Sequence, residues 1–252
     1  MRCYVPPGDW RADHLQLPPD EVHHLHTVMR ARRGEEVMAF DGAGRSALCR
    51  IEELERRSGR LEVIQQFQHP KPAPEVILLQ GMPREQKMDF LIQKATELGA
   101  LRLIPVQTDH AVVRVREDME AAKLARWQRI ALNAAKQCGA HWIPAIDPVR
   151  PLAEALATLP FVELLLLCSL EPDAQPIRTV LASARRSPPA RIAVLIGPEG
   201  DFSARERAAA RNAGARPVRL TTSVLRSETA ALFALSVLNY EFGAVLTGAG
   251  PA

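Results

Sequence analysis

The sequence predicts an α/β protein, with a small β-rich module in front of a layer of alternating strands and helices. Three observations carry this. From residue 75 onward, short apolar runs alternate with longer stretches whose apolar residues recur at helical spacing. Residues 1–70 instead hold short β-like runs separated by glycine-rich turns. Between the two regions, His69-Pro70-Lys71-Pro72-Ala73-Pro74 reads as a stiff linker. These observations place a first domain at 1–72 and a second at 73–252.

In the first domain a helical stretch is expected over 21–29 and extended runs over 36–40, 47–51 and 60–67. Asp41-Gly42-Ala43-Gly44 and Arg56-Arg57-Ser58-Gly59 are the turn signals between those runs. The pattern fits a small barrel-like module. Arg30, Arg32, Arg33, Arg45, Arg56, Arg57 and Arg60 fall near its turns, as on a surface that meets a phosphate backbone. A plainly solvated basic surface would look the same. Lysine occurs only at 71, 87, 94, 123 and 136, so arginine supplies the rest of the 32 basic residues. Its planar fork suits phosphate contact and base stacking, although arginine-biased codons give the same count. His23, His24 and His26 do not converge on one helix face and lack carboxylate or cysteine partners at ligand spacing, so no metal site is read there.

In the second domain, strands are expected over 76–79, 101–106, 162–168, 192–196 and 217–220, with a short extended piece over 112–115. Helices are expected over 84–99, 117–139, 151–159, 177–186, 203–212 and 227–242. Met88, Leu91, Ile92, Ala95 and Leu98 form the apolar face of the first of these, and Gly139 stops the second. The unbroken apolar run Val162 to Cys168 reads as a buried interior strand. The last helix is apolar nearly all round and must be covered on more than one side; a second subunit is one cover.

Composition narrows the classes. The chain has 252 residues, 47% hydrophobic and 24% charged, with a net charge of +3. No 18-residue apolar run is present, which excludes a membrane-spanning helix. Asp9, Arg11, Asp13 and His14 interrupt any signal-peptide core within residues 1–30. Cys3, Cys49, Cys138 and Cys168 lie far apart, as expected of reduced thiols in a cytoplasmic protein.

Two stretches carry chemistry. In the first, the buried run Ile192 to Ile196 meets Gly197-Pro198-Glu199-Gly200, and Ser203 with Glu206 matches a capping box. A strand, a glycine-rich turn and a capped helix form a ligand corner at the carboxyl edge of a parallel sheet, although a plain strand-to-helix turn has the same signature. It matches neither the dinucleotide nor the triphosphate fingerprint. The second stretch is Thr221-Thr222-Ser223-Val224-Leu225-Arg226-Ser227-Glu228-Thr229-Ala230. Ser227 is expected to cap the last helix, with Glu228 in its first turn. Arg226 would then stand at the positive end of the helix dipole and need a partner: Glu228, Glu199 or an anionic ligand.

Gly197-Pro198-Glu199-Gly200 together with Leu225-Arg226-Ser227-Glu228-Thr229-Ala230 resembles the SPOUT superfamily of knotted RNA methyltransferases, and within it the enzymes that act on a uridine of small-subunit ribosomal RNA. Gln80, Arg84, Lys87-Met88, Gln93-Lys94, Glu97-Leu98-Gly99, Arg126-Trp127-Gln128 and Gln137-Cys138-Gly139 agree with it. His24, Val28-Met29-Arg30 and Asp41-Gly42 resemble that family's PUA-like barrel. The resemblance covers nearly the whole chain.

It implies a PUA-like β-barrel followed by an α/β domain with a deep C-terminal trefoil knot, a rare topology. It implies S-adenosylmethionine as cofactor, held by Leu167, Ser169, Leu170, Ile196, Gly197, Pro198, Glu199, Gly200, Leu220, Val224, Leu225, Ser227, Thr229 and Ala230. It implies a homodimer, Arg226 and Glu228 as catalytic residues, and methyl transfer to N3 of a uridine in the decoding region of 16S rRNA within the 30S subunit. Arg30, Arg32, Arg33, Arg84 and Lys87 are the expected RNA contacts. Thr221-Thr222-Ser223 and Asp109-His110 depart from the family's usual residues. A ribose 2′-O-methyltransferase of the same superfamily, and an RNA-binding assembly factor with an inactive cofactor site, are the alternatives.

Overall fold

The computed structural model describes residues 1–111 and 117–243. The chain divides into two compact units: Met1–Lys71 with Leu132–Ile143, and Pro72–Ala131 with Pro144–Ala252. The extended piece expected over 112–115 lies outside the described residues.

The first unit is built on strands β1 (Arg2–Tyr4), β2 (His14–Gln16), β3 (Glu36–Phe40), β4 (Arg45–Leu54) and β5 (Gly59–Gln68), in the order β1-β3-β4-β5-β2. Only β1 and β3 run parallel. Register shifts between Leu48 and Cys49 and between Ile51 and Glu53 curl the long β4–β5 pair. Alternate residues of β3 and β4 (Val37, Ala39, Ala47, Cys49, Ile51) point into one apolar core with Leu15, Leu25 and Leu61. The helical signal over 21–29 splits: α1 (Pro19–His23) passes into a π-type turn, His24–Val28. Arg30 follows at φ 53°.

The second unit contains β6 (Glu75–Gly81), α2 (Glu85–Glu97), β7 (Arg102–Gln107), α3 (Glu117–Cys138), β8 (Ala145–Ile146), β9 (Arg150–Pro151), α4 (Leu152–Ala157), β10 (Leu164–Cys168), β11 (Gln175–Pro176), α5 (Ile177–Ala184), β12 (Arg191–Ile196), α6 (Ala204–Asn212), β13 (Arg216–Arg219) and α7 (Ser227–Phe242). Its sheet is parallel throughout, in the order β11-β13-β10-β12-β6-β7-β8, with β9 beside β7. Buried on both faces, β10 and β12 are continuous apolar runs, each fully buried Leu, Ile or Val worth about 1.5–3 kcal/mol. Sequence order reverses across β12 and β6, the kind of switch point where α/β sheets hold ligands.

The end of α3 and the loop after it belong to the first unit, although linear order places them in the second. Side chains explain this. Lys136 Nζ pairs with Glu21 at 2.8 Å, and Arg2 donates to the carbonyls of Ala135 and Ala140 at the open end of the helix. His69 stacks on His141 at 3.4 Å.

Candidate functional site

A cavity of about 340 Å³ opens in the second unit at the carboxyl ends of β10, β12 and β13. That volume suits a small-molecule or cofactor site. Three segments wall it. After β10 come Cys168, Ser169 and Leu170; after β12, Ile196 to Glu199 and Asp201; between β13 and α7, Val218 to Thr221 and Ser223 to Ser227, with Ala230 behind.

Each wall has a local cause. Ser169 Oγ accepts from the Glu171 amide (3.1 Å) and turns the chain at the end of β10. Arg219 donates to the carbonyls of Leu170 and Glu171 (both 3.3 Å), tying the first wall to the third. At the end of β6, Gly81 lies so close to Pro198 that a Cβ would stand 2.5 Å from the proline ring, so only glycine lets the second wall pass. Asp201 adopts φ 55°, and its Oδ1 accepts from the Phe202 amide at 2.7 Å, a local bond that suits an aspartate in this conformation. The capping box forms as expected: Ser203 Oγ accepts from the Glu206 amide and Glu206 accepts from the Ser203 amide.

Ser227 does not cap α7. The N-cap residue is Arg226, with no capping side-chain bond, and Ser227 is the first helical residue. Its hydroxyl donates to the Gly197 carbonyl at 2.6 Å and accepts from Gln80 Nε2 at 2.8 Å. The buried Gln80 amide takes the acceptor role that a cap would use, because leaving a buried donor unpaired costs more than a missing cap.

The expected carboxylate partners of Arg226 are also engaged elsewhere. Lys87 Nζ lies 2.8 Å from Glu199 Oε1 and 3.2 Å from Glu228 Oε2. Burial raises the Glu199 carboxyl, but the Lys87 ammonium together with backbone hydrogen bonds at Glu199 and Arg84 holds it below its ordinary value. Arg226 is exposed, lines the cavity, and forms no ion pair with a described residue.

Most of the expected cofactor residues converge here: Ser169, Leu170, Ile196, Gly197, Pro198, Glu199, Leu220, Val224, Leu225, Ser227 and Ala230 all line the cavity. Leu167 does not. It is fully buried in the core with Leu165 and Leu195. Gly200 instead faces His110, where a Cβ would stand 2.9 Å from that side chain, and His110 Nδ1 lies 3.0 Å from the Gly200 carbonyl. Thr229 is exposed outside the lining, and Glu228 sits behind the wall with Lys87.

Cys168, Asp201, Val218, Arg219, Thr221 and Ser223 line the cavity without having been expected to. Val218 and Arg219 were findable, since they end a strand at the carboxyl edge. Burial pushes the Cys168 thiol up to about 12, so it offers no thiolate nucleophile. Both departures are absorbed structurally. Thr221 Oγ1 donates to the Ser223 carbonyl at 2.7 Å, and Asp109 accepts from Ser203 Oγ at 2.6 Å and from Arg205 at 2.8 Å.

Among the expected RNA contacts, Arg30, Arg32 and Arg33 are exposed beside the π-type turn, and Arg84 is exposed ahead of α2. Arg45 and Arg60 are paired with Asp41 and Glu52.

A parallel α/β sheet with a three-walled cavity at its strand ends defines a ligand-binding domain, and the comparisons define its class. Residues 69–239 match the model of an RNA methyltransferase domain, and residues 17–64 match that of an RNA methyltransferase PUA domain. The chain is 28% identical to ribosomal RNA small subunit methyltransferase E of Bacillus subtilis over 230 residues, covering 90% of each chain. It is 31% identical to the enzyme of that name from Mycobacterium tuberculosis over 222 residues, covering 87% of this chain and 83% of the relative. The crystal structure of ribosomal RNA small subunit methyltransferase E from Neisseria gonorrhoeae, bound to S-adenosyl methionine, superposes with a TM-score of 0.82 at 30% identity, covering 95% of this chain and 96% of that one. The chain belongs to the ribosomal RNA small subunit methyltransferase E family.

Proposed function

We propose that the chain is an S-adenosylmethionine-dependent methyltransferase of small-subunit ribosomal RNA that methylates N3 of a uridine. The observation that carries this reading is the guanidinium of Arg226, in no ion pair among the described residues, on the rim of a mainly apolar cavity that both signature motifs line.

The cavity fits the cofactor. Leu170, Ile196, Val218, Val224 and Leu225 offer an apolar slot for an adenine, the hydroxyls of Ser169, Thr221 and Ser223 offer partners for a ribose, and Asp201 offers a carboxylate for a cationic group. When bound, the sulfonium supplies the electrophilic methyl group. The protein then has to orient the uracil and manage its N3 proton. As that proton leaves, negative charge spreads onto O2 and O4, and Arg226 is placed to meet it. Glu199, whose carboxyl is held below its ordinary value, and Glu228 both stand beside Lys87 as candidate acceptors of that proton, and they depend on Arg226 to favour the transfer. The target base must leave any stack to reach the cavity.

Arg30, Arg32 and Arg33 form the proposed RNA-contacting surface, with Arg84 as a further contact. Alanine at the first three positions should weaken RNA binding and reduce its salt dependence. We further propose the family's trefoil knot for the second unit, a homodimer, and action in the cytoplasm. Thr229, Phe233, Ser236 and Tyr240 share one exposed face of α7, with Phe233 36% and Tyr240 87% accessible, which supports a second copy as its cover. Light scattering tests the dimer, and an experimental backbone trace tests the knot.

The deciding experiment incubates the protein with labelled S-adenosylmethionine and 30S subunits lacking the modification, then identifies the product nucleoside. 3-Methyluridine at one site is the expected result. A 2′-O-methyl product would overturn the N3 assignment, and cofactor binding without transfer would overturn the substrate.

A further inference from the structure

Three side chains from three separate elements meet beside the cavity. Lys87 stands in the first turn of α2, Glu199 in the turn after β12, and Glu228 in the first turn of α7. The Lys87 ammonium donates to Glu199 Oε1 at 2.8 Å and forms an ion pair at 3.2 Å with Glu228 Oε2, a buried oxygen with no hydrogen-bond partner among the described residues. The three side chains are 29%, 30% and 16% exposed. Arg226 precedes Glu228 by two residues and lines the same cavity as Glu199, yet it pairs with neither. The other charged groups around this cluster are Arg84 ahead of α2, Asp201 in the turn and His110 against Gly200.

We propose that Lys87 is a positioning residue: by holding Glu199 and Glu228 together it keeps both carboxylates off Arg226, so that the guanidinium stays open to substrate. The inference rests on the reading of Arg226 given above. A guanidinium and a carboxylate form a strong bidentate pair when nothing intervenes, and Glu228 lies two residues from Arg226 while Glu199 lines the same cavity. An ammonium carries three donors and can serve both carboxylates at once. This assigns Lys87 a role different from the expected RNA contact, because a phosphate would have to displace two carboxylates to reach it.

The test uses the full chain with Lys87→Met and Lys87→Arg. Phenylglyoxal labelling of Arg226, read by peptide mass spectrometry without cofactor or RNA, reports whether the guanidinium is free. Wild type should label readily, Lys87→Met about fivefold or more slowly, and Lys87→Met combined with Glu199→Gln and Glu228→Gln at close to the wild-type rate. In turnover, Lys87→Met should lose about tenfold or more in kcat with the cofactor Kd changed less than about threefold, and Lys87→Arg should recover most of the loss. Unchanged labelling of Arg226 in Lys87→Met overturns the proposal. So does a raised KM for RNA with kcat intact, which would return Lys87 to the RNA surface. If wild type itself transfers no methyl group to 30S subunits, the functional reading fails, while the labelling still decides what Lys87 does to Arg226.

Discussion

Helix α6 begins under Ser203 and helix α7 begins under Arg226, and the two starts are built by opposite rules. At α6 every local preference is met: a serine accepts from the third amide of the helix, a glutamate reaches back, and the acidic residue lies where the helix dipole is positive. At α7 a cation stands at the cap position ahead of the acidic Glu228, no side chain caps the helix, and the Ser227 hydroxyl is turned to a carbonyl of the neighbouring wall. Both helices follow strands of the same parallel sheet, yet only the second start lines the cavity with its cap residue. Where a chain forgoes about 1 kcal/mol of capping and sets a like charge against a dipole, the group placed there serves something other than stability.

Substitutions can break this contrast. The largest effect is expected from Arg226→Ala, which should lower kcat about 100- to 1000-fold, roughly 2.7–4 kcal/mol, with cofactor affinity nearly intact. Arg226→Asn sharpens the contrast further: it should be equally inactive but more stable than wild type by up to about 1 kcal/mol, because it gives α7 a cap. Calorimetric unfolding beside turnover checks both, and an active Arg226→Ala enzyme would remove the functional reading of this helix start. Ser227→Ala should cost about 1–3 kcal/mol in unfolding free energy, since it strips the Gly197 carbonyl and Gln80 Nε2 of a shared buried partner. At the other helix, Ser203→Ala should cost about 1 kcal/mol and leave turnover near wild type, with Ser203→Gly costing only a few tenths.

The smallest effect is one of pH. Hydrogen bonds from Ser203 and then Arg205 hold the Asp109 carboxyl below its ordinary value. Because its folded pKa is the lower one, its contribution is complete above the unfolded value, about 3.9, and is lost as pH falls through the folded value. Amide exchange should therefore show the start of α6 loosening as pH falls through the folded Asp109 value, and Asp109→Asn should remove that acid dependence.

Local signals made much of this legible. Ser203 and Glu206 stand three apart and cap a helix wherever they precede one, so the α6 start was readable from the chain alone. The same holds for the apolar runs of β10 and β12, and for α7, whose bounds of Ser227 and Phe242 match the expected span. The cavity's outline was readable through its two motifs. Nothing in one dimension shows that two carboxylates, 112 and 141 positions from Lys87, converge on it. Ser227 was misjudged because a helix-start serine is usually a cap. Leu167 sits next to the lining residue Cys168 in the chain, but points to the core, as strand alternation requires.

The longer elements, their order, the parallel character of the second unit and two of the three stretches that wall the cavity were legible in the chain alone, because periodicity, caps and turn residues act within a few positions of one another; the short strands β1, β2, β8, β9 and β11 were not. Tertiary structure alone decided which donors meet which acceptors. It gave the end of α3 to the first unit through Lys136, Arg2 and His141. It also turned Ser227 inward and brought Lys87 to both Glu199 and Glu228, with Arg226 in no ion pair among the described residues. Buried polar groups must be paired, and the partner is whichever group the packed chain brings within reach.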